Sequence, residues 1–544
     1  MIIILKIQDS KRFAFRSVIC FFIIMALLLS TIIRISVIIN SDYINIANKQ
    51  SQYRINISRM RGTIYDCNMV PLTNNNTRLV AAVLPNPKGI VALKSCAASD
   101  SLENALNDLK NNNATICNVD KEINSDGIEF TTIYEQSVDK LSACHLIGYT
   151  DSTGHGVSGL QRAYDDFLYS DQYVSAVFTK DGIGNFLDGV EPYFENDLRI
   201  INNGVVSTID INIQNIVESV ASQMTSGCVI VSDAATGKIR AMASVPGFDI
   251  NDIAQSLQSN NSPMINRATS SYSVGSVFKP LVAAVAVEKG KGNIIFNCEG
   301  SIEIANRRFR CHKHSGHGNM NLCTAIAESC NCYFYNLAQI LGGNNIYKSA
   351  ASLCFSNRIK LAENLYTSKG TFPSEQTLKN EGALANISIG QGELLASPVA
   401  LITLYQAIAG DGSYYMPSVV EKTVKDGVEK HYDYGEKTRI MKETTAKKLR
   451  EYLKSVVTVG TGTEAAPTLT TAAGKTATAQ TGRYYDDGSE ITNSWFCGFF
   501  PADKPQYIMV VMSDSKLQQS TASIFAQIAD KISVLTGNNV KIND

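Results

Sequence analysis

One long apolar segment near the N-terminus constrains the whole chain. From Ser17 to Ile39 the sequence holds only apolar residues, serine and threonine, with Arg34 as the one charge. About 20 apolar residues are enough to cross a bilayer as a helix. The sequence therefore predicts a transmembrane helix over residues 17–39, with the rest of the chain divided between the two sides of the membrane.

Basic residues before this segment predict its orientation. Lys6, Lys11, Arg12 and Arg16 precede the apolar run, and positive charge favours the cytoplasmic side. Residues 1–16 are therefore predicted to be a cytoplasmic tail, with everything after the helix exported. A cleaved signal peptide is the alternative, but the run is long for one and no small-x-small cleavage site follows it.

Length and composition predict the class of the exported part. A chain of 544 residues is too long for one ordinary domain. Its 49 basic and 50 acidic residues give a net charge of -1, so no electrostatic argument favours nucleic acid. Short apolar runs separated by Asn-rich breaks predict an α+β module at 40–205, followed by a second domain at 206–544.

The second domain is predicted to be α+β, with an antiparallel sheet covered by helices. An amphipathic helix follows Asp210, a candidate N-cap. The remaining predicted elements are a hairpin over 227–243, strands at 495–499 and 507–512, and a final helix at 523–535.

Three short motifs in this domain carry the chemistry. The first is Ser276-Val277-Phe278-Lys279, at the start of a buried apolar helix. A serine hydroxyl is a weak nucleophile that needs a base nearby. Lys279 lies on the same helix face, and burial can lower its pKa enough for that task. Ser-x-x-Lys also occurs at Ser137–Lys140 and Ser513–Lys516, so the order of all three motifs singles out Ser276.

The other two motifs supply polar groups in apolar surroundings. Ser329-Cys330-Asn331 lies between two apolar, helical flanks, where Ser329 could relay a proton and Asn331 could hold a substrate amide. A helix-joining turn is the alternative. Lys475, Thr476, Ala477 and Thr478 form a predicted strand whose cation and hydroxyls suit a substrate carboxylate. A solvated edge strand is the alternative.

Thirteen cysteines, an odd number without repeating spacing, argue against a disulfide framework. Cys311, His312, His314 and His317, with Cys330 and Cys332 downstream, could supply zinc ligands. No C-x-x-C pair accompanies them, and Cys330 lies inside the second motif. The sequence therefore favours small apolar core cysteines, leaves a Cys298–Cys311 disulfide open, and predicts neither a metal site nor a cofactor.

With these residues, the chain resembles the class B, monofunctional penicillin-binding proteins from about Arg59 to about Val511. Further matching segments are Arg61-Gly62-Thr63-Ile64-Tyr65-Asp66, Asn266-Arg267-Ala268, Gly316-His317-Gly318 and Gly390-Gln391-Gly392-Glu393-Leu394-Leu395-Ala396-Ser397-Pro398. In this family residues 40–205 would be a pedestal, and 206–544 a transpeptidase domain with a serine β-lactamase-like fold.

The resemblance implies a peptidoglycan D,D-transpeptidase that is inhibited by β-lactams and acts in cell wall synthesis. Ser276 would attack the stem peptide with Lys279 as base, and the backbone N–H groups of Ser276 and Thr478 would form the oxyanion hole. Ser329 would protonate the leaving D-alanine, and the third motif would hold the terminal carboxylate. Implied partners are stem peptides on lipid-linked nascent glycan, and a polytopic membrane glycosyltransferase.

The chain departs from the family pattern at three places. Ala477 stands where glycine is usual, which could change how β-lactams lie along the strand. Val274 replaces a common proline, and Cys67-Asn68-Met69 replaces a usual Arg-Asn-Gly turn.

Two other functions stay open. The first is a D,D-carboxypeptidase or β-lactamase, although a secreted β-lactamase needs no anchor and no additional exported region. The second is a non-catalytic β-lactam sensor or scaffold, which the intact motifs argue against. A bifunctional glycan polymerase is disfavoured, because no Glu-Asp-x-x-Phe-x-x-His pattern occurs in residues 41–205.

Overall fold

The chain forms two compact units in a computed structural model. The model describes residues 2–39, 46, 49–99, 101–135, 141–196, 203–432, 435–516 and 518–537. The Ser137–Lys140 copy of the first motif lies outside these ranges. The first unit comprises residues 1–59, 77–133 and 172–198, and the second comprises 60–76, 134–171 and 199–544.

The N-terminal segment is one helix, Ile2–Ile39. Its portion Lys11–Ile39 is long and apolar enough to cross a membrane by length and composition, and none of its most apolar stretch is buried against protein. An apolar helix surface without protein contacts is what a lipid environment stabilises. The predicted helix is observed, while its crossing of a membrane and its orientation stay predictions.

The rest of the first unit is mixed α and β. One three-stranded sheet has the order Gln52–Arg61, Tyr169–Thr179, Tyr193–Glu195, and another has the order Thr115–Asn118, Asn76–Val83, Ile128–Glu135. Helices Pro87–Cys96 and Leu102–Lys110 pack with the second sheet around buried Val83, Leu93 and Leu109.

A five-stranded antiparallel sheet forms the centre of the second unit. Its strand order is Ile239–Val245, Gly227–Asp233, Tyr507–Ser513, Glu490–Phe500, Ala473–Tyr484. Ala473–Tyr484, which carries the third motif, is therefore an edge strand. The predicted hairpin and both predicted C-terminal strands are confirmed.

Alternate side chains of this sheet enter two separate cores. Val229, Val231, Val511 and Phe496 pack in one core, with helices Ile211–Ala221 and Thr521–Leu535. Their neighbours in sequence face the other core: Cys228, Ile230, Val510 and Cys497. Successive residues of a strand point to opposite faces of the sheet. Where helices cover both faces, the sequence of each strand is therefore a nearly continuous apolar run.

The second core contains the helices that carry the first two motifs. The α-helices of the second unit, besides the two named above, are Cys144–Ile147, Gly159–Ala163, Asp165–Leu168, Ile253–Gln258, Lys279–Glu288, Leu322–Ala327, Asn331–Leu341, Gly343–Ala351, Glu381–Ser388, Pro398–Ala409 and Glu443–Thr458. Short 3₁₀ turns occur at Gly275–Phe278, Cys354–Ser356, Thr377–Lys379 and Thr463–Ala465.

Local sequence signals explain where two of these helices begin. The Asp210 side chain accepts hydrogen bonds from the backbone N–H groups of Asn212 and Ile213, as its N-cap role predicts. Pro280 lies in the first turn of Lys279–Glu288, where its missing N–H costs least.

A second sheet in this unit contains residues from near the beginning of the chain. Its order is Thr63–Tyr65, Asn203–Ser207, Val420–Lys425, Val428–His431, with the first pair parallel. The remaining two-stranded pairs are Tyr272–Ser273 with Leu395–Ala396, Phe296–Cys298 with Gly318–Met320, Ser301–Ile304 with Arg307–Arg310, Lys360–Ala362 with Leu365–Tyr366, and Ser413–Tyr414 with Thr438–Arg439.

Arg61 joins the two early segments that this unit contains. Its guanidinium forms an ion pair with Asp165 at 2.9 Å and donates to the Gln161 side chain at 2.7 Å. Residues 60–76 and 134–171 belong to the unit that contains the three motifs, whereas the predicted boundary at 205 placed them in the first module. The functional roles assigned to 40–205 and 206–544 stay predictions.

Candidate active site

Ser276 lies on a tight turn at the start of a buried helix. Residues Gly275–Phe278 form a 3₁₀ turn that continues directly into Lys279–Glu288. Gly275 has a φ of +65°, which favours glycine. Its N–H donates to the carbonyl of Gly390 at 2.9 Å. A loop distant in sequence thus fixes the turn that carries the candidate nucleophile.

Gly390 is expected to tolerate no side chain. Its φ is +75°, and a Cβ there would lie 2.0 Å from the Gly275 carbonyl oxygen. We expect Gly390→Ala to lower the free energy of unfolding by at least about 2 kcal/mol, because left-handed strain and a backbone clash act together. Thermal denaturation of the purified chain measures the effect.

Gly392→Ala is the matched control for that prediction. Gly392 has a φ of +84°, but a Cβ there would contact only the Asn386 side chain, at 3.5 Å. It should cost only the strain, about 1 kcal/mol. Equal destabilisation by both variants would contradict the role given to the Gly390–Gly275 contact.

Lys279 joins the first motif to the second. Its ammonium donates to the Ser329 carbonyl at 2.7 Å, to Ser329 Oγ at 3.2 Å and to Asn331 Oδ1 at 2.7 Å. The side chain is completely buried. Burial lowers the pKa of Lys279 to about 7, against a smaller opposite effect of neighbouring thiols. A sizeable fraction of this lysine is therefore neutral near pH 7, as a base requires.

The second motif forms the turn between helices Leu322–Ala327 and Asn331–Leu341. Ser329 has a φ of +53°, an uncommon conformation for a residue other than glycine. Backbone strain of this kind persists where surrounding contacts hold it, and Lys279 supplies two such contacts. The turn predicted as an alternative is thus observed, with its side chains directed to Lys279.

The third motif presents a buried lysine on the edge strand. Lys475 is completely buried and donates to the carbonyl of Thr476 at 3.0 Å. Burial, with the charge of Lys279 as a second cause, holds the pKa of Lys475 well below its usual value. The alternative of a solvated lysine is therefore wrong.

Ala477 faces inward. It is 7% exposed, and a Cβ on Gly275 would lie 3.3 Å from its methyl group and 3.1 Å from that of Ala479. The methyl group at the position where the family usually has glycine therefore fills space beneath the nucleophile turn. Thr478, next in sequence, is exposed.

Two further residues at this site, Thr461 and Trp495, were not singled out from the sequence. Thr461 Oγ1 lies 2.9 Å from Thr476 Oγ1. The indole N–H of Trp495 donates to the Ser273 carbonyl at 3.0 Å, which ties the chain before the nucleophile to the sheet. The run Gly460-Thr461-Gly462 and the single tryptophan were the available signals.

The three motifs are thus brought together, and their combined charge indicates what they can bind. Among the described residues neither Lys279 nor Lys475 forms a salt bridge, although both are buried. Buried ammonium groups without a carboxylate partner favour an anionic ligand or the neutral amine. A cleft of about 550 Å³ adjoins the end of the edge strand and is lined by Gln391, Gly392 and Gln480 among others.

The chain is similar to known proteins in sequence and in fold. Residues 227–533 match the family model described as the penicillin binding protein transpeptidase domain. The chain is 28% identical over 398 residues to stage V sporulation protein D of Bacillus subtilis, covering 68% of this chain and 58% of that protein. It is 27% identical over 410 residues to the peptidoglycan D,D-transpeptidase MrdA of Acinetobacter baumannii, covering 68% and 59%. The match therefore spans under two thirds of these relatives' length.

Solved structures support the fold. Penicillin binding protein 3 of Mycobacterium tuberculosis, complexed with aztreonam, superposes with a TM-score of 0.65 at 22% identity, over 89% of this chain and 97% of that one. The D,D-transpeptidase domain of a peptidoglycan glycosyltransferase from Eggerthella lenta gives 0.64 at 22% identity, over 89% and 100%. The predicted α+β fold is confirmed.

Proposed function

Since the chain belongs to the penicillin-binding protein transpeptidase family, we propose that it is a peptidoglycan D,D-transpeptidase acting through an acyl-serine intermediate. The observation that carries this proposal is the position of Lys279. This buried lysine follows Ser276 by one turn and hydrogen-bonds both polar residues of the second motif. β-Lactams, which mimic the donor peptide, would acylate the same serine.

Acylation uses the first two motifs. Ser276 Oγ attacks the carbonyl carbon between the two terminal D-alanines, and its proton passes to the neutral amine of Lys279. The N–H groups of Ser276 and Thr478 would stabilise the oxyanion. The proton then reaches the leaving amine through Ser329, which Lys279 contacts at 3.2 Å. The peptide bond breaks, D-alanine leaves and a serine ester remains.

The third motif and Asn331 position the donor. An extended peptide can pair with the exposed edge of Ala473–Tyr484 through its backbone. Lys475, Thr476 and Thr478 would hold its terminal carboxylate, and the Asn331 amide would hold a peptide group. The amine of a second stem peptide then attacks the ester, its proton returns to Ser276, and a cross-link forms.

The N-terminal helix would make this a single-pass membrane protein, with a cytoplasmic N-terminus and an extracytoplasmic catalytic unit. Four basic residues before the apolar segment support that orientation. Stem peptides on lipid-linked nascent glycan would then be the substrates on the exported side. A polytopic membrane glycosyltransferase is the proposed partner.

The fate of the acyl group distinguishes this function from a carboxypeptidase or β-lactamase. Full-length chain in detergent is treated with a fluorescent penicillin, and its intact mass is followed over hours. We expect one stable adduct. With a donor peptide ending in D-alanyl-D-alanine and an amine acceptor, we expect more cross-linked than hydrolysed product.

Three outcomes would contradict the proposal. An adduct that clears within seconds indicates a β-lactamase. Hydrolysed peptide without cross-linked product indicates a carboxypeptidase. Folded chain that forms neither adduct nor product indicates a non-catalytic role.

A further inference from the structure

A cleft beside the edge strand Ala473–Tyr484 contains one carboxylate. The cleft encloses about 550 Å³. In the described part of the chain its lining has one charged residue, Glu393. The other polar side chains of this lining are uncharged, and they belong to Ser273, Thr371, Gln391, Gln480 and Thr481. The cleft therefore offers a single negative charge among hydroxyl and amide groups.

The backbone around Glu393 is fixed, while its side chain is exposed. Thr371 Oγ1 donates to the Glu393 carbonyl at 2.5 Å, and Thr371 and Leu395 exchange backbone hydrogen bonds of 2.8 and 3.1 Å. Within the described ranges the Glu393 carboxylate forms no hydrogen bond and no salt bridge. By contrast, the carboxylate of Glu490, on the neighbouring strand, accepts from Gln480 Nε2 at 2.8 Å. The Glu393 carboxylate is thus available to a ligand in the cleft.

The loop that carries Glu393 is attached to the nucleophile turn. The Gly275 N–H donates to the carbonyl of Gly390, three residues before Glu393, at 2.9 Å. The same turn contacts the edge strand, because a Cβ on Gly275 would lie 3.1 Å from the methyl group of Ala479. The buried side chain of Ala479 therefore points to the face of the edge strand where the nucleophile turn and the Glu393 loop lie.

The proposed function fixes the direction of the donor along this strand. The terminal carboxylate would lie at Lys475 and Thr476, and the carbonyl under attack would lie at the Thr478 N–H. The donor would then run antiparallel to the edge strand, with its penultimate D-alanine opposite Thr478 and the preceding residue opposite Ala479. Residues directly opposite each other in an antiparallel pair point to the same face. The side chain of that preceding donor residue is therefore expected on the face of Ala479, toward the cleft.

We propose that Glu393 selects donors in which the residue before D-alanyl-D-alanine carries a side-chain ammonium group. A hydrogen bond between an ammonium and a carboxylate is stronger than one between neutral groups. No cationic residue of the described lining neutralises Glu393. This inference rests on the proposed function, because the direction of the donor follows from it.

Two kinds of donor residue supply such an ammonium group. The lysine side chain ends in the ammonium alone, whereas diaminopimelate has a carboxylate beside it. The hydroxyl and amide groups of the cleft can donate to that carboxylate, so the cleft is compatible with both residues. A comparison of the two donors distinguishes them.

Donor turnover by the wild-type chain tests the selection without any variant. Four donor peptides differ only in the residue before D-alanyl-D-alanine, which is lysine, Nε-acetyl-lysine, Nε-succinyl-lysine or diaminopimelate. Full-length chain in detergent is used with glycine as the acceptor throughout, and kcat/KM is measured from released D-alanine. We expect lysine to exceed acetyl-lysine about fivefold, the upper range for an exposed ion pair. The ratio should fall at high salt, which screens exposed charges.

Two substitutions of Glu393 assign this preference to its carboxylate. Glu393→Gln keeps the shape and removes the charge, so the ratio of lysine to acetyl-lysine should fall to about one. Glu393→Lys should favour the succinyl-lysine donor, which ends in a carboxylate, over the lysine donor. Glu375→Gln is the control, because Glu375 is exposed in the same unit and does not line the cleft. It should keep the wild-type ratio.

The diaminopimelate donor identifies the source of the ammonium group. Turnover faster than that of the lysine donor would assign the cleft to diaminopimelate, and slower turnover would assign it to lysine. Either result, together with slow turnover of the acetylated donor, supports the proposal.

Equal turnover of the lysine and acetyl-lysine donors by the wild type would overturn this inference and leave the proposed function intact. So would an unchanged ratio in folded Glu393→Gln, which would assign the preference to another group. A chain that forms a stable penicilloyl adduct but releases D-alanine from none of the four donors would overturn the proposed function, and this inference with it.

Discussion

Ser276→Ala is expected to abolish the penicilloyl adduct completely, with no labelled chain detectable by intact mass after hours. The hydroxyl is the only group proposed to form the ester, and removing a nucleophile of this kind costs about 10⁶-fold in rate. Because the Ser276 side chain is partly exposed at the start of its helix, its removal should leave the thermal transition nearly unchanged.

Ser271→Ala serves as the control for this result. Ser271 lies five residues before the nucleophile, and its hydroxyl donates only to the exposed Lys369 carbonyl, at 3.2 Å. It should label like the wild type. An adduct that persists in folded Ser276→Ala would assign the nucleophile to another residue, for which peptide mapping of the label would then be required.

Lys279→Arg is expected to slow β-lactam acylation by about 10²- to 10⁴-fold, the usual contribution of a general base. Arginine keeps the charge but does not deprotonate in proteins. Wild-type acylation should rise as the pH increases through about 7, because burial lowers the pKa of Lys279 to that value and only the neutral amine accepts a proton. The residual rate of the variant should lack this rise.

The groups that face Lys279 decide how that pH dependence is interpreted. Lys475 adds a second cationic site from the edge strand, whereas the thiols of Cys330, Cys311 and Cys332 act to raise the pKa of Lys279. Lys475→Met, which removes the neighbouring cationic group, should weaken donor binding but keep the rise of acylation with pH, because the base remains. If Lys279→Arg retained the wild-type rate and pH profile, the lysine would have a structural role only.

Regular signals in the sequence predicted much of the fold. The apolar run predicted the N-terminal helix, and Asp210 predicted the start of the helix that follows it. The apolar runs around Val229 and Val510 predicted two strands of the central sheet. Each of these rests on local periodicity or capping, which the sequence displays directly. The division of the chain into units was not predictable in this way, because it depends on pairing between Thr63–Tyr65 and Asn203–Ser207, which are distant in sequence.

The candidate site was predicted less completely. Motif order brought out Ser276, Lys279 and Lys475, but not Thr461, whose hydroxyl reaches Thr476 only in the folded chain. Cys298 was considered only for a disulfide with Cys311, since no C-x-x-C spacing indicated a metal. The fold brings the thiols of Cys298, Cys311 and Cys330 and the imidazole of His317 within 4.8 Å of one another, and linear spacing carries little information about such a set.

The strand order of the central sheet has a consequence for how the chain is made. Tyr507–Ser513 lies between Gly227–Asp233 and Glu490–Phe500, and Ser513 Oγ donates to the Ser226 carbonyl, 287 positions earlier. One edge of the early hairpin therefore stays unpaired until residues 507–513 have been synthesised. Pairing between strands that are distant in sequence forms slowly. Until it forms, the unpaired apolar strands can associate with wrong partners. We expect this chain to depend on chaperones at the site of its synthesis or export until Glu490–Phe500 and Tyr507–Ser513 can pair with the early hairpin.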